Sequence, residues 1–260
     1  MSVAGPPASS PPDETGLPAG ALRGRAGIVT GGGQGIGAAT VRLLARAGAR
    51  LVVGDLSAPA AAAVAAGAVA AGGVAVAVAA DVRREADCAA LAAACRRHFG
   101  RIDFVVANAG VGDAGTVAGG DPARWRAVIE TNVLGTALTV RAALPEMQAQ
   151  GRGDVVLVAS VSGRESYAGE PIYIASKWAV VGFGRALRKE ALAHGVRVTL
   201  IEPGLVDTPL ARSTPLGQQW LESLTALSAD DVARAIAFAL AQPPHVALNE
   251  IVVRPLAQEV

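Results

Sequence analysis

The feature that most constrains this chain is an unbroken alternation of short apolar runs with helical segments. Alanine-rich or amphipathic segments, such as Ser57 to Gly72 and Arg84 to Phe99, separate consecutive runs. This alternation is typical of parallel strands whose connecting helices cover both faces of the sheet. The sequence therefore predicts an α/β fold with a doubly wound, mostly parallel seven-stranded sheet. The seven runs are Ala26 to Thr30, Arg50 to Gly54, Val74 to Val78, Ile102 to Ala107, Asp154 to Ala159, Val196 to Ile201 and Glu250 to Val253.

A glycine-rich turn, Gly31 to Gly37, joins the first run to the helical segment Ala38 to Ala47. Glycines there allow a tight turn that approaches a pyrophosphate, whose charge lies at the helix N-terminus. A glycine-rich segment alone is equally typical of a flexible loop. The next strand, however, ends at Asp55, where a carboxylate accepts hydrogen bonds from ribose hydroxyls and repels a 2′-phosphate. Because no Arg or Lys lies in the turn or directly after Asp55, we expect a Rossmann-type fold that prefers NAD to NADP.

Polar residues follow several predicted strands where each strand ends. Asp55, Asp81 and Asn108 occupy such positions, and the turn-rich stretch Glu202 to Pro209 follows the sixth strand. Ligands of open parallel sheets lie at the carboxyl ends of the strands. We therefore expect these residues to share one ligand-binding edge.

A second motif, Tyr173-Ile174-Ala175-Ser176-Lys177, lies thirteen residues after Ser160. On a helix, Tyr173 and Lys177 project from the same face one turn apart. A neighbouring ammonium stabilises a phenolate and lowers its pKa toward the range useful for acid and base catalysis, and a serine hydroxyl can hold a reacting oxygen. Taken alone, the same spacing also occurs in ordinary surface helices.

Length and composition restrict the remaining possibilities. The 260 residues suit a single catalytic domain over 23–260, after a proline-rich leader over 1–22 that we expect to be disordered. A net charge of +1 gives no support for nucleic-acid binding, and no uninterrupted apolar run reaches the about 18 to 20 residues of a membrane span. Cys88 and Cys95 lack zinc-site spacing, so we expect buried, reduced thiols, a cytoplasmic location and no metal site.

Taken together, the motifs resemble those of the short-chain dehydrogenase/reductase family, in its single-domain branch. The resemblance extends from about Ala21 to Val253. It implies that Tyr173 donates or accepts the proton, that Lys177 lowers the pKa of Tyr173 and holds the nicotinamide ribose, and that Ser160 orients the reacting oxygen. The motifs that carry it are Thr30-Gly31-x-x-x-Gly35-x-Gly37, Asp81, Asn108-Ala109-Gly110, Asn132, Ser160, Tyr173-x-x-x-Lys177 and Pro203-Gly204.

The resemblance also assigns Asn132 to the catalytic group, where it kinks its helix and holds a water in a proton relay. From residue type alone, an amide inside a helix is usually exposed. Ala159 stands where many relatives have a second serine, and the ending Arg254-Pro255 is similar to a branch in which some members use NADP. The predicted cofactor-binding residues are Gly31, Gly33, Gln34, Gly35, Ile36, Gly37, Asp55, Leu56, Asp81, Val82, Asn108, Ala109, Gly110, Tyr173, Lys177, Pro203, Gly204, Val206 and Thr208.

We therefore predict an NAD(H)-dependent oxidoreductase that interconverts a secondary alcohol and a ketone. The alternatives are an NADPH-dependent biosynthetic ketoreductase and a non-catalytic NAD(H)-binding protein. The resemblance implies a homotetramer or homodimer.

The substrate pocket is expected between the segment Gly163 to Glu170 and a lid over about 208–227 that contains Trp220. Glu165, Ser166 and Tyr167 would suit a hydroxylated substrate. The alternative is that the charged side chains of this segment are simply solvated.

Overall fold

A computed structural model describes residues 20–259 of the chain. The strands are β1 Ala26–Thr30, β2 Arg50–Asp55, β3 Val74–Ala79, β4 Phe104–Ala107, β5 Gly153–Val158, β6 Val196–Pro203 and β7 Glu250–Val253. The α-helices are α1 Gly35–Arg46, α2 Ala58–Ala70, α3 Glu85–Phe99, α4 Pro122–Ile129, α5 Thr136–Ala149, α6 Pro171–Ala191, α7 Pro209–Arg212, α8 Pro215–Ser223 and α9 Ala229–Leu240. A π-helical segment, Glu130–Gly135, joins α4 to α5.

The strands form a seven-stranded sheet in the order β3-β2-β1-β4-β5-β6-β7. Every neighbouring pair is parallel. The predicted Rossmann-type fold is therefore confirmed, with a sheet that is parallel throughout the described residues. Because the strands share one direction, all of their carboxyl ends lie along one edge.

Each face of the sheet packs against three long helices. One core cluster joins the sheet to α3, α5 and α6, with Leu91, Met147 and Leu187 among its members. The other joins it to α1, α2 and α9, with Leu44 and Ile236 among its members. Burial of apolar side chains on both faces explains why the inner strands are continuous Val, Ile and Leu runs. Cys88 and Cys95, both on α3, are free and buried, as predicted.

The predicted helix from Asp121 toward Gln150 is continuous but contains the π segment in its middle. Asn132 lies in this segment and is only 1% exposed, so the expectation of an exposed amide is wrong. A π segment adds a residue to the turn and changes the direction of the side chains that follow. The extra width is what allows Asn132 to point into the protein rather than into solvent.

The continuous helical stretch Pro122–Ala149 is long and apolar enough, by length and composition alone, to cross a membrane. The stretch contains charged residues, Arg141 and Glu146 among them, so the expectation that no uninterrupted apolar run reaches this length still holds. One such stretch is weak evidence for a span, because core helices of folded domains have the same composition. Here Val140, Leu144 and Met147 pack in the core cluster against the sheet. The absence of a membrane partner stays a prediction.

Two boundaries of the predicted domain layout can be compared with the structure. Leu22, assigned to the leader, is fully buried in the core, and its N–H donates to the carbonyl of Ala47 at 3.0 Å. The rest of the leader, residues 1–19, lies outside the described residues. The lid segment, defined here as residues 208–227, contains the short helices α7 and α8 rather than an irregular loop.

An ion-pair network anchors the chain that follows β5. Arg164 pairs with Glu202 at the end of β6 and with Glu250 at the start of β7. The Glu202 side chain is fully buried, whereas Arg185 reaches Glu250 from the exposed side at 2.7 Å. Arg164 therefore fixes the segment between Ser160 and α6 to the sheet.

Substituting Arg164→Ala should lower the free energy of unfolding by about 3 kcal/mol, because it leaves the buried Glu202 carboxylate without a cation. The control Arg185→Ala removes a more exposed pair and should cost less than about 1 kcal/mol. Urea denaturation followed by circular dichroism measures both values. Equal losses in the two variants would show that the buried pair does not anchor this segment.

Candidate active site

A cleft of about 640 Å³ lies at the carboxyl ends of the strands. The glycine turn after β1, the ends of β2, β4, β5 and β6, the start of α6 and the lid segment all line it. The sequence predicted this edge, since ligands of parallel sheets bind there. Of the predicted cofactor-binding residues, the cleft is lined by Gly31, Gln34, Gly35, Ile36, Asp55, Leu56, Asp81, Val82, Asn108, Ala109, Gly110, Tyr173, Lys177, Pro203, Gly204, Val206 and Thr208.

Gly33 and Gly37, also predicted to bind the cofactor, do not line the cleft but shape the turn. A Cβ on Gly37 would lie 2.0 Å from the carbonyl oxygen of Gly31. Gly31 itself has a φ of +62°, and a Cβ there would lie 2.8 Å from the Cα of Ala109. The amide of Asn108 ties the turn to β4, donating to the carbonyls of Thr30 at 3.0 Å and Gly31 at 3.1 Å. The backbone can approach a ligand closely only because these positions lack side chains.

Asp55 uses both carboxylate oxygens to fix the backbone around the turn. One oxygen accepts from the N–H of Gly33 at 2.8 Å, and the other accepts from the N–H of Ser57 at 2.9 Å. On the next strand, Asp81 is paired with Arg83, whose hydrogen bond lowers the pKa of the Asp81 carboxyl. Arg83 also lines this part of the cleft, although it is not among the residues predicted from the sequence.

Ser160 follows β5 and is almost fully buried. Its hydroxyl lies 3.1 Å from the hydroxyl of Ser162 and 3.4 Å from the carbonyl of Pro203, and it accepts from the N–H of Ser162 at 3.1 Å. Ser162 therefore supplies a second hydroxyl beside Ser160. It follows Ser160 in the chain, whereas the second serine of many relatives precedes it at the position of Ala159. The Ser-x-Ser spacing was visible in the sequence, but only the turn Val161–Gly163 brings the two hydroxyls together.

Tyr173 and Lys177 lie one turn apart on α6, as predicted, and both line the cleft. Burial raises the pKa of the Tyr173 phenol, and the carboxylate of Glu170 raises it further. A hydrogen bond from Ser160 lowers this pKa but does not cancel the rise. The amine of Lys177 lies 5.6 Å from the centre of the Tyr173 ring and donates to the carbonyl of Val158 at 3.1 Å.

In this structure Lys177 is not among the groups that set the pKa of Tyr173, and the lowering that the resemblance implies stays a prediction. Removal from water outweighs the attraction of a cation that is directed toward the strand. Burial also lowers the pKa of Lys177 to about 8.

Asn132 does not line the cleft but connects two elements behind it. Its amide donates to the carbonyl of Val111 at 2.9 Å and to the hydroxyl of Ser176 at 3.0 Å, and its oxygen accepts from the N–H of Val111 at 2.9 Å. Both amide protons are thus used by the protein. Asn132 fixes α6 against the segment that follows β4, which positions Tyr173 indirectly.

A chain of polar groups continues from Ser160 into the outer part of the cleft. The hydroxyl of Ser162 lies 2.7 Å from that of Tyr167, which donates to the carboxylate of Glu170 at 3.0 Å. The ring of Tyr167 meets Trp220 of α8 edge to face, with centroids 4.9 Å apart. Burial raises the pKa of the Tyr167 phenol and of the Glu170 carboxyl.

Only some residues of the segment before α6 line the cleft. Tyr167 and Glu170 line the cleft, as does Trp220 of the lid segment, whereas Arg164, Glu165 and Ser166 do not. Glu165 instead lies 3.4 Å from Arg254, and Arg164 pairs with the ends of β6 and β7. Glu165 and Ser166 are therefore not the pocket groups that the sequence suggested.

Comparisons with known proteins agree with this geometry. The sequence profile of the family described as short chain dehydrogenase matches residues 25–219. An uncharacterized oxidoreductase of Staphylococcus saprophyticus is 36% identical over 236 residues, which cover 90% of this chain and 99% of that protein. The glycine betaine reductase of Emericella nidulans is 34% identical over 250 residues, which cover 92% of this chain but 19% of that protein.

A solved structure is similar over nearly the whole described fold. A metagenomic short-chain oxidoreductase in complex with NADP has a TM-score of 0.79 and 33% identity, covering 92% of this chain and 100% of that one. Members of this family bind nicotinamide cofactors and small-molecule substrates. Sequence motifs, sheet topology and these likenesses lead to one conclusion: the chain belongs to the short-chain dehydrogenase family and is an oxidoreductase of that type.

Proposed function

We propose that the protein transfers a hydride between NAD(H) and a secondary alcohol or ketone, with Tyr173 as the general acid and base. The observation that carries the proposal is that Ser160, Tyr173 and Lys177 line the same cleft as the glycine turn and Asp55. Hydride transfer needs the cofactor, the carbonyl and the proton donor together, and one cleft can hold all three.

The residues of this cleft fit a nicotinamide dinucleotide. The Cβ-free surface of Gly31 and Gly35 at the N-terminus of α1 suits a pyrophosphate, and Asp55 suits a ribose diol. Lys177 and Tyr173 would hold the nicotinamide end. When bound, this cofactor supplies or accepts the hydride.

The protein's own groups move and hold the proton. Ser160 donates a hydrogen bond to the substrate oxygen and keeps it beside the Tyr173 hydroxyl. During ketone reduction Tyr173 gives its proton to that oxygen, and during alcohol oxidation the phenolate takes the proton back. Asn132 acts as a positioning residue, because its hydrogen bonds fix α6 rather than contact the cleft.

The raised pKa of Tyr173 favours one direction. A phenol that stays protonated at neutral pH is ready to donate to a carbonyl, whereas alcohol oxidation first requires its ionisation. We therefore propose that carbonyl reduction is the easier reaction near neutral pH.

The choice between NAD and NADP rests on Asp55 and Arg83. Both oxygens of Asp55 are fixed by backbone N–H groups at the end of β2, and an acidic residue at this position of such folds binds the ribose hydroxyls and repels a 2′-phosphate. This supports NAD. An NADPH-dependent ketoreductase is the second candidate, supported by the NADP-bound structural relative and by Arg83 in the cleft. The pairing of Arg83 with Asp81 weakens that second candidate.

Further expectations concern the substrate and the assembly. The name of one relative gives glycine betaine as that protein's substrate, which supports a small polar molecule here. The exposed side chains of Ile129, Leu134 and Trp178 offer apolar surface to another subunit. A homotetramer or homodimer in the cytoplasm stays a prediction.

Substituting Tyr173→Phe should lower kcat at least about a hundredfold, because it removes the proton donor without removing the ring. Initial rates of NADH oxidation with a panel of ketones measure the effect, and calorimetry should show NADH affinity changed less than about threefold. The control Lys189→Gln alters an exposed side chain on the same helix and should be neutral. Unchanged turnover in Tyr173→Phe would refute the assigned mechanism.

The two directions should differ in their pH dependence. For alcohol oxidation, log kcat/KM should rise by about one per pH unit near neutrality, because the phenolate fraction of Tyr173 rises with pH. Ketone reduction should stay level from about pH 6 to about pH 7, since the phenol remains protonated and Lys177 remains mostly charged well below its pKa of about 8. A level oxidation profile with falling reduction would mean that the Tyr173 pKa is lowered after all.

Calorimetric titration with NADH and NADPH tests the cofactor choice. The wild-type protein should bind NADH at least about tenfold more tightly, and Asp55→Asn should reverse or erase that preference because it removes the charge. If Arg83 instead holds a 2′-phosphate, Arg83→Ala will selectively weaken NADPH binding. Tighter binding of NADPH by the wild-type protein would contradict the role given to Asp55.

A further inference from the structure

The Glu170 carboxylate has no cationic partner although it lines the substrate side of the cleft. Glu170 is only 8% exposed, and the hydroxyl of Tyr167 donates to one of its carboxylate oxygens at 3.0 Å. Within residues 20–259, no ion pair includes Glu170. Lys177 lines the same cleft, but its amine donates to the carbonyl of Val158.

A second carboxylate makes an ionised Glu170 less favourable. Asp113 is also buried, and its charge raises the pKa of Glu170. Arg124 lies 3.2 Å from Asp113 and pairs with it rather than with Glu170. An ionised carboxylate that is buried without a cation is costly, so Glu170 is either protonated or paired with a cation that a bound molecule supplies. Because Glu170 lines a cleft, a ligand can reach it.

The aromatic side chains beside Glu170 indicate which kind of ligand fits. Tyr167 and Trp220 pack edge to face, and aromatic rings attract cations, above all alkylated ammonium groups that retain little water. Val111 and Leu210 add apolar wall. The hydroxyls of Thr131 and Ser162 also line the cleft and offer hydrogen bonds to a polyol, which is the alternative ligand. A carboxylate among rings and apolar groups therefore favours an ammonium group.

We propose that Glu170, Tyr167 and Trp220 form a subsite for an ammonium group, so that the substrate is a small amino alcohol or the corresponding amino ketone. Three successive hydrogen bonds lead from Ser160 through Ser162 and Tyr167 to Glu170, at 3.1, 2.7 and 3.0 Å. These three contacts limit the distance from the Ser160 hydroxyl to the Glu170 carboxylate, so one substrate can contact both. This inference rests on the proposed function, because it places the reacting oxygen at Ser160 and Tyr173.

The test uses two alcohols of equal shape. One carries a trimethylammonium group on the carbon next to the carbinol, and the other carries a neutral tert-butyl group there. Calorimetry on the wild-type protein with saturating NADH should show at least about tenfold tighter binding of the cationic alcohol. Glu170→Gln should erase that preference while changing the affinity for the neutral alcohol less than about twofold, because the amide keeps the side chain's shape.

The matched control is Glu165→Gln, which removes a carboxylate of the same segment that faces Arg254 instead of the cleft. It should leave the preference unchanged. Trp220→Leu should weaken the cationic alcohol selectively, by about threefold, since it removes one ring. This second variant keeps the inference testable if Glu170→Gln folds poorly.

Binding and turnover separate this inference from the proposed function. Equal affinity of the wild-type protein for the two alcohols, or an equal loss for both in Glu170→Gln, would overturn the ammonium subsite whatever the turnover. Selective binding of the cationic alcohol that depends on Glu170, without any oxidation by NAD or NADP, would support the subsite and count against the proposed reaction.

Discussion

The constraint on which the structure depends is the shared direction of seven strands. Because every strand is parallel to its neighbours, the carboxyl ends meet along one edge, where the backbone is free of sheet partners. Asp55, Asn108 and Ser160 reach the same cleft for this reason, although the chain separates them widely. The helices on both faces bury the sheet and leave that edge as the place for chemistry. Glycines at Gly31 and Gly37 then let the backbone close tightly enough to receive a dinucleotide.

Within the cleft, burial has a larger effect on the pKa of Tyr173 than the neighbouring cation has. Lys177 lies one turn from Tyr173, yet its amine is held by Val158, and the phenol pKa is raised rather than lowered. Glu170 contributes to that rise, so the group proposed to bind a substrate cation also influences the catalytic phenol. In the proposed reaction, substrate recognition and proton transfer are therefore coupled through this carboxylate. A protein that keeps its tyrosine protonated is suited to donate a proton to a carbonyl oxygen.

Local patterns made most of the fold and the inner site predictable. The alternation of strands and helices, the glycine turn and the spacing of Tyr173 and Lys177 each depend on residues close in sequence. Three features depend on contacts between residues distant in sequence, so local patterns could not predict them. The burial of Asn132 arises from a π segment and from bonds to Val111 and Ser176. The role proposed for Glu170 arises from the way the segment before α6 meets α8. The direction of the Tyr173 pKa required knowledge of how deeply the ring is buried.

The most direct test of the central claim follows the hydride itself. The protein is incubated at neutral pH with NADH that carries deuterium at the transferable position and with a panel of ketones, including amino ketones. Mass spectrometry of the products measures the label. The account predicts an alcohol with one deuterium on the carbinol carbon. Absence of labelled alcohol from every ketone, in protein shown by calorimetry to bind NADH, would contradict it.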